Sequence, residues 1–268
     1  MAAALIRIGA MFRRYLLLHR RSLLRSFDIF FWPVMDLLIW GFLALYLQRS
    51  ARVGPAAEVA VFLIGAMISW DVHYRGQQAV TISLMEEIWT RNIVNVLISP
   101  LRLWEWIASS LLYGALKVAV VTGLLAALSR WLYAFDLFRV GWAFLPLAAM
   151  LLVFGWAIGI FTAGVLLRFG YAAEALIWGI PFLVQPFSCV FYPLASLPGW
   201  AQAIARLLPS TYTFEALRAV LRGEPVTAAS WLTILGLNAL YLTLGIAGFV
   251  WLFRRAREGG HLGRLGQD

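Results

Sequence analysis

Residues 141–167 read GWAFLPLAAMLLVFGWAIGIFTAGVLL, a stretch in which no side chain carries a charge. At about 1.5 Å per residue, an α-helix of this length extends about 40 Å, more than the ~30 Å hydrocarbon core of a bilayer. The stretch therefore predicts a transmembrane helix. It decides the fold class because long uncharged runs of the same kind recur along the chain.

Composition extends this prediction to the whole chain. Of the 268 residues, 62% are hydrophobic and 13% are charged, whereas soluble domains carry about 25% charged residues. The apolar runs predict six transmembrane helices, at about 29–47, from about 59, and at about 106–128, 141–167, 172–192 and 231–253. We expect an all-α polytopic membrane protein that forms one domain over residues 1–268.

The basic residues indicate orientation rather than nucleic-acid binding. The net charge is +9, but the arginines lie at the ends of the predicted helices, where membrane lipids account for them. Thirteen arginines fall in residues 1–28, 79–105, 168–174 and 254–268, against seven in 48–58, 129–140 and 194–230. Because cytoplasmic segments carry the excess of basic residues, both termini are predicted to be cytoplasmic.

The first segment, residues 1–28, predicts an amphipathic helix in the inner headgroup layer. Its arginine stripe consists of Arg7, Arg14, Arg21 and Arg25. A signal peptide is disfavoured, since the following apolar run is long and no small-residue cleavage site ends it.

Polar residues interrupt the second predicted helix. Asp71 and Arg75 are spaced i, i+4 on a helical face that also carries Tyr74 and Gln78. Charges are costly inside a membrane, so these four residues are candidates for a substrate path. The alternatives are an ion pair that fixes helix packing, or a position at headgroup level. Asp36 and Lys117 have no partner nearby in the sequence.

The motifs of several functional classes are missing from the sequence. No phosphate-binding Gly-rich loop followed by Lys-Ser or Lys-Thr occurs, so the chain is not expected to be an ATPase. His19, His73 and His261 are far apart, and Cys189 is the single cysteine. Neither a metal site nor a catalytic residue is therefore predicted.

Two loops carry a family resemblance. Glu87-Ile-Trp-Thr-Arg-Asn-Ile-Val-Asn-Val-Leu-Ile-Ser-Pro-Leu-Arg-Leu-Trp-Glu105 is acidic, then apolar, and ends in Ser-Pro and a glutamate. The second region contains Leu197-Pro198-Gly-Trp200, Leu208-Pro209-Ser-Thr-Tyr212 and Glu215-Ala-Leu-Arg218. In order and spacing, these loops resemble those of the membrane subunit of type-2 ATP-binding-cassette (ABC) exporters.

The resemblance implies a homodimeric permease in the inner membrane of a prokaryote. It would export a lipid-like, amphipathic or glycan-containing molecule or a drug, and a separate ATPase subunit would bind ATP and magnesium. Residues 84–105 would form the coupling segment, with ATPase-docking residues Glu86, Glu87, Trp89, Arg91, Asn92 and Asn95. Residues 193–230 would form outward re-entrant helices, with motif residues Pro198, Pro209, Tyr212, Glu215 and Arg218.

Two other functional classes remain as alternatives. A membrane-embedded lipid enzyme would need a catalytic cluster, for which Glu86 with Glu87, or Asp71 with His73, are the available groups. Neither pair comes with the further ligands that phosphoryl chemistry requires. An ion-driven secondary transporter is less favoured, because the chain has no internal repeat and few carboxylates within its predicted helices.

Overall fold

The computed structural model describes residues 2–21, 23–50 and 55–260. Within these ranges the chain is all-α, as predicted, and contains no β-strand. Its helices are α1 (Ala2–Arg20), α2 (Leu23–Ser50), α3 (Pro55–Trp89), α4 (Ile93–Ile98), α5 (Leu103–Tyr133), α6 (Phe144–Phe169), α7 (Ala175–Val184), α8 (Gly199–Ala205), α9 (Pro209–Leu221) and α10 (Ala228–Glu258). The Arg25 side chain and the tail that contains His261 and Arg264 lie outside the described residues.

Four helical segments are long and apolar enough to cross a membrane. They are Phe27–Arg49, Leu103–Tyr133, Gly141–Ala173 and Ala228–Glu258. These segments match the predicted first, third, fourth and sixth membrane helices. The chain is therefore a polytopic membrane protein.

The predicted second membrane helix lies at the centre of the molecule. It is α3, which packs against α2, α5, α6 and α7. Most residues between Leu63 and Ile88 are buried. A helix that is enclosed by other helices can carry charges which a lipid-facing helix could not, and this explains the polar residues of α3.

The predicted fifth membrane helix is shorter than expected. An apolar stretch of Ala175–Ser188 consists of α7 and a 3₁₀ turn that begins at Gln185, just before Pro186. It rises about 21 Å at 1.5 Å per residue, less than a ~30 Å hydrocarbon core. After it, Phe191 stacks on Trp40 at a ring-centroid distance of 4.2 Å. The turn therefore lies level with Trp40, well before the end of α2 at Ser50.

The helix ends gather into two groups. The α4 end is where α3 finishes and α5 and α7 begin, and the α9 end is the opposite one. Between them α6 packs against α3 and against α10.

A Cβ on Gly159 of α6 would overlap the carbonyl oxygen of Gln77 and lie 3.1 Å from its carbonyl carbon. A Cβ on Gly155 would lie 2.8 Å from the Gln77 nitrogen. The two glycines thus let α6 and α3 approach backbone to backbone.

Candidate functional site

The chain reverses direction between α3 and α5. Arg91 adopts the left-handed region at φ 54°, and the Asn92 N–H donates to the carbonyl oxygen of Glu87 at 2.8 Å. This turn ends α3 and starts the six-residue helix α4. The segment predicted from the family resemblance is therefore a short helix between two tight turns.

Glu87 lies at the end of α3 and is almost completely buried. Its carboxylate accepts hydrogen bonds from Arg14 of α1, at 2.5 Å from Nη1 and 2.9 Å from Nη2. The Nδ2 of Asn92 donates a third hydrogen bond at 2.6 Å. Two side chains predicted to dock a partner, Glu87 and Asn92, are thus engaged within the chain.

Glu105 occupies the equivalent place at the start of α5. It is fully buried and accepts hydrogen bonds from Arg7 of α1, at 2.8 Å from Nε and 2.5 Å from Nη2. The backbone N–H of Arg102 also donates to it at 2.9 Å. Hydrogen bonding to the two carboxylates raises the pKa of Arg7 and of Arg14, so both guanidinium groups stay charged.

Helix α1 is therefore paired with the end of α3 and with the start of α5, the two helices that flank α4, and we call residues 87–105 between these two pairs the α4 segment. Arg7 and Arg14 are two helical turns apart and share a face of α1. Directly after Arg14, the buried ring of Tyr15 stacks on Tyr113 of α5 at 5.4 Å. We call the Arg7–Glu105 and Arg14–Glu87 pairs the double clamp. The whole arginine stripe was predicted to face the lipid headgroups, but Arg7 and Arg14 face the protein instead.

The remaining predicted docking residues face outward or lie half-buried. Trp89 is 45% exposed, and Arg91 and Asn95 are also exposed, while Glu86 is half-buried. The same surface contains three exposed apolar side chains absent from the predicted set, namely Val94, Ile98 and Trp104. Ile98 is 77% exposed. The exposure of Val94 and Ile98 could have been predicted from the sequence, because α4 carries apolar residues on every side and so short a helix cannot bury them all.

The predicted substrate-path residues form a second group, along α3. The Nε of Arg75 donates to both carboxylate oxygens of Asp71, at 3.0 and 2.8 Å. Tyr74 and Gln78 are half-buried beside this pair. Asp36 of α2 interacts electrostatically with Arg75, and the Lys117 ammonium lies 4.9 Å from the ring centroid of Tyr113.

His73 belongs to a different face of α3 from Asp71. Its Nδ1 lies 3.2 Å from the Leu151 carbonyl oxygen of α6, and its ring stacks on Phe154 at 4.9 Å. Asp71 instead pairs with Arg75, so an Asp71–His73 catalytic pair is not assembled. Among the described residues no group of three His, Cys, Asp or Glu side chains could hold a metal ion. This geometry does not favour the lipid-enzyme alternative.

The predicted re-entrant residues occupy the α9 end. Pro198 precedes α8, and Pro209 is the first residue of α9. Tyr212 donates a hydrogen bond to a carbonyl of the α8–α9 turn at 3.0 Å. Glu215 accepts a hydrogen bond from the backbone N–H of Leu194 at 2.8 Å. These contacts hold the short helices together.

Arg218 joins this region to the rest of the fold. It is 8% exposed and donates to Glu215 at 3.0 Å, to the Val190 carbonyl at 3.1 Å and to the Cys189 carbonyl. Its guanidinium carbon lies 4.4 Å from the ring centroid of Phe62 on α3. One side chain thus connects α9, α3 and the turn that follows α7.

We expect Arg218→Gln to lower the free energy of unfolding by about 2 kcal/mol, because buried carbonyls lose their donors and Glu215 loses its cation. Thermal unfolding of the purified protein in detergent measures the change. Arg222→Gln is the matched control, since Arg222 is 53% exposed and its pair with Glu224 lies at the surface. Equal losses in the two variants would contradict a bracing role for Arg218.

Comparison with known families completes the description of these groups. The family model described as ABC-2 type transporter matches residues 7–221. The match contains the double clamp, the polar residues of α3 and Arg218. No curated protein matches the chain.

Proposed function

Because the chain belongs to the family of ABC-2 type transporters, we propose that it exports a lipid-like, amphipathic or glycan-containing molecule or a drug with energy from a separate ATPase subunit. The family supplies the membrane component of an ABC transporter, so the chain is a transmembrane transporter subunit. ATP and magnesium would then bind to the partner, and the permease itself would need no cofactor.

The proposed topology has six membrane helices, namely α2, α3, α5, α6, α7 and α10, with α8 and α9 as outward re-entrant helices. The short rise of α7 and the depth of the turn after it support re-entry at the α9 end. The arginine distribution supports a cytoplasmic α4 end with both termini on that side, in a prokaryotic inner membrane. On this topology α1 lies along the inner headgroup layer.

We assign ATPase docking to the outward surface of the α4 segment. The observation that carries this assignment is the exposure of Val94 and Ile98 on α4, and of Trp89 and Trp104 on the helix ends that flank α4. Exposed apolar and aromatic side chains concentrated on one small surface are typical of a protein interface. Glu87 and Asn92 would position this surface rather than touch the partner.

The same proposal includes a homodimer with a substrate path at its seam. The Asp71–Arg75 pair, Tyr74 and Gln78 would border the inner mouth of that path. Their support is the partial exposure of Tyr74, Arg75 and Gln78 on a helix that is otherwise enclosed. A polar lining suits the headgroup or sugar of an amphipathic substrate.

Co-purification tests the docking surface. We expect the tagged wild-type chain, extracted in mild detergent, to retain a Walker-motif ATPase in near-equal amount by quantitative mass spectrometry. Trp89→Ala with Ile98→Ser should lower the retained ATPase at least tenfold, because both side chains leave the exposed surface.

The matched control is Trp131→Ala, which removes an 81% exposed tryptophan at the α9 end. This variant should retain the ATPase at the wild-type level. If no ATPase accompanies the wild-type chain, the proposed energy source is wrong. If the control loses the ATPase as the α4 variant does, the docking surface has been misplaced.

A further inference from the structure

A cavity of about 150 Å³ lies beneath α4. It is bordered by α4 and by the ends of α3, α5, α6 and α10, and every lining side chain is apolar. Val96, Leu103, Trp106, Leu167 and Phe253 are among them. Apolar cavities of comparable size exclude water and bind hydrocarbon ligands. The lining therefore favours a hydrocarbon occupant.

Three arginines are sequence neighbours of residues that line the cavity. Each directly flanks a lining residue in the sequence, and the pairs are Arg102 with Leu103, Arg168 with Leu167, and Arg254 with Phe253. Within the described part of the chain, no carboxylate lies within 4.0 Å of any of these three guanidinium groups. The arginines of the double clamp, by contrast, are neutralised by glutamates. Arg102, Arg168 and Arg254 thus form no salt bridge within the described residues, although Glu105 interacts electrostatically with Arg102.

The position of the cavity matches lipid headgroups. Arg168 and Arg254 lie near the ends of α6 and α10, two helices that are apolar and long enough to span a membrane. Basic side chains at the ends of membrane helices lie at headgroup level and attract anionic lipids. An apolar cavity near arginines that form no salt bridge, at the level of the lipid headgroups, fits a ligand with a hydrocarbon chain and an anionic head.

We propose that the cavity holds a segment of one acyl chain of an anionic phospholipid, whose phosphate pairs with Arg102, Arg168 and Arg254. The bound chain would lie between α4 and the helix ends beneath it, and would support the α4 segment from below. This site requires only that the chain lie in a membrane, so it stands or falls independently of ATPase docking.

Lipid titration of the purified full-length chain tests the proposal. After delipidation by detergent exchange, phosphatidylglycerol and phosphatidylcholine with identical acyl chains are titrated separately, and bound lipid is counted by native mass spectrometry. We expect one phosphatidylglycerol per chain, bound at least tenfold more tightly than phosphatidylcholine. Equal affinity for the two lipids would overturn the proposal.

Charge-matched variants test the headgroup contacts. The site variant carries Arg102→Gln, Arg168→Gln and Arg254→Gln, and the control carries Arg49→Gln, Arg130→Gln and Arg206→Gln, three exposed arginines near the α9 end. Both lose the same formal charge. Phosphatidylglycerol affinity should fall at least tenfold in the site variant and stay at the wild-type value in the control. Equal losses would show a general charge effect and overturn the site.

Val96→Phe tests the acyl-chain contact by filling the cavity from α4. We expect this variant to lose the tight phosphatidylglycerol while its thermal unfolding remains cooperative. A competition arm separates a lipid from a free phosphate, because glycerol phosphate should not displace the lipid at equal concentration. Wild-type lipid affinity in Val96→Phe, or displacement by glycerol phosphate, would overturn the acyl-chain assignment.

Discussion

Gly159→Ala is expected to destabilise the protein by about 3 kcal/mol, at the upper end of the usual cost of overpacking. The new Cβ would overlap the carbonyl oxygen of Gln77 and approach its carbonyl carbon and Cα. All three are backbone atoms of α3, so no side-chain rotation can relieve the overlap. The two central helices would have to separate. Fluorescence-detected thermal unfolding of the purified variant measures the loss.

Gly236→Ala is the matched control for this change. Gly236 lies within α10, and no atom would lie within 4 Å of a Cβ built there. The same substitution should therefore stabilise the protein slightly, by about 0.5 kcal/mol, since alanine favours a helix more than glycine does. A Gly159→Ala variant that unfolds at the wild-type temperature would contradict the close packing of α6 on α3.

Arg14→Ala is expected to have the second-largest effect. It leaves the buried carboxylate of Glu87 with Asn92 as its side-chain donor and no cation. Removing one partner of a buried pair costs about 3–5 kcal/mol, and we expect about 2–3 kcal/mol here because the Arg14 side chain is 36% exposed to solvent. ATPase retention should also fall, since one end of the α4 segment is released.

Two further variants separate charge from packing. Arg13→Ala removes the neighbouring, exposed arginine of α1 and should change the free energy of unfolding by about 0.5 kcal/mol or less. Glu87→Gln added to Arg14→Ala removes the uncompensated charge and should restore much of the lost stability. If Arg13→Ala is as damaging as Arg14→Ala, or if Glu87→Gln restores nothing, the Arg14–Glu87 pair does not stabilise the fold as described.

Much of the architecture could be predicted because a membrane helix forms its backbone hydrogen bonds within its own segment and needs a continuous apolar run, which the sequence shows directly. A run such as residues 141–167 is expected to be helical whatever surrounds it, and it is α-helical from Phe144 onward. Helix α3 was predicted too, from the apolar residues between about Val59 and Met67, and Asp71 and Arg75 pair along it as their spacing of four residues allows. The length of the predicted fifth helix was only partly accessible: Pro186 predicts a break, and α7 ends at Val184, but apolar residues continue beyond Ser188, where the backbone turn at Cys189, with φ 54°, ends the helical stretch.

The partners of the charged residues at the α4 end could not be predicted from the sequence. Glu87 was assigned to docking, and Arg7 and Arg14 to headgroups, because local patterning makes each look exposed. Their pairing joins residues 73 and 98 positions apart. Nothing in one sequence specifies such distant partners. A useful signal would have been the isolation of Glu105, a lone carboxylate at the start of an apolar helix, which requires a cation wherever it is buried.

The glycines of α6 were a signal that the sequence did contain. Gly155 and Gly159 are four residues apart in the uncharged run 141–167, the spacing of a small-residue packing motif. The motif predicts that some helix approaches closely at this face, but it does not say which one. Only the structure identifies α3 as the neighbour and places the backbone of Gln77 between the two glycines.

The double clamp also has a mechanical consequence. Its two anchor points on α1 are seven residues apart, about 10 Å along the helix axis. A helix attached to its neighbours at one point can rotate about that point. Because α1 is attached at two points, it must follow both the translation and the rotation of the helix ends to which it is paired. If the end of α3 and the start of α5 tilt together, α1 must tilt with them. Loss of either Arg7 or Arg14 would leave α1 attached at one point only, about which it could rotate.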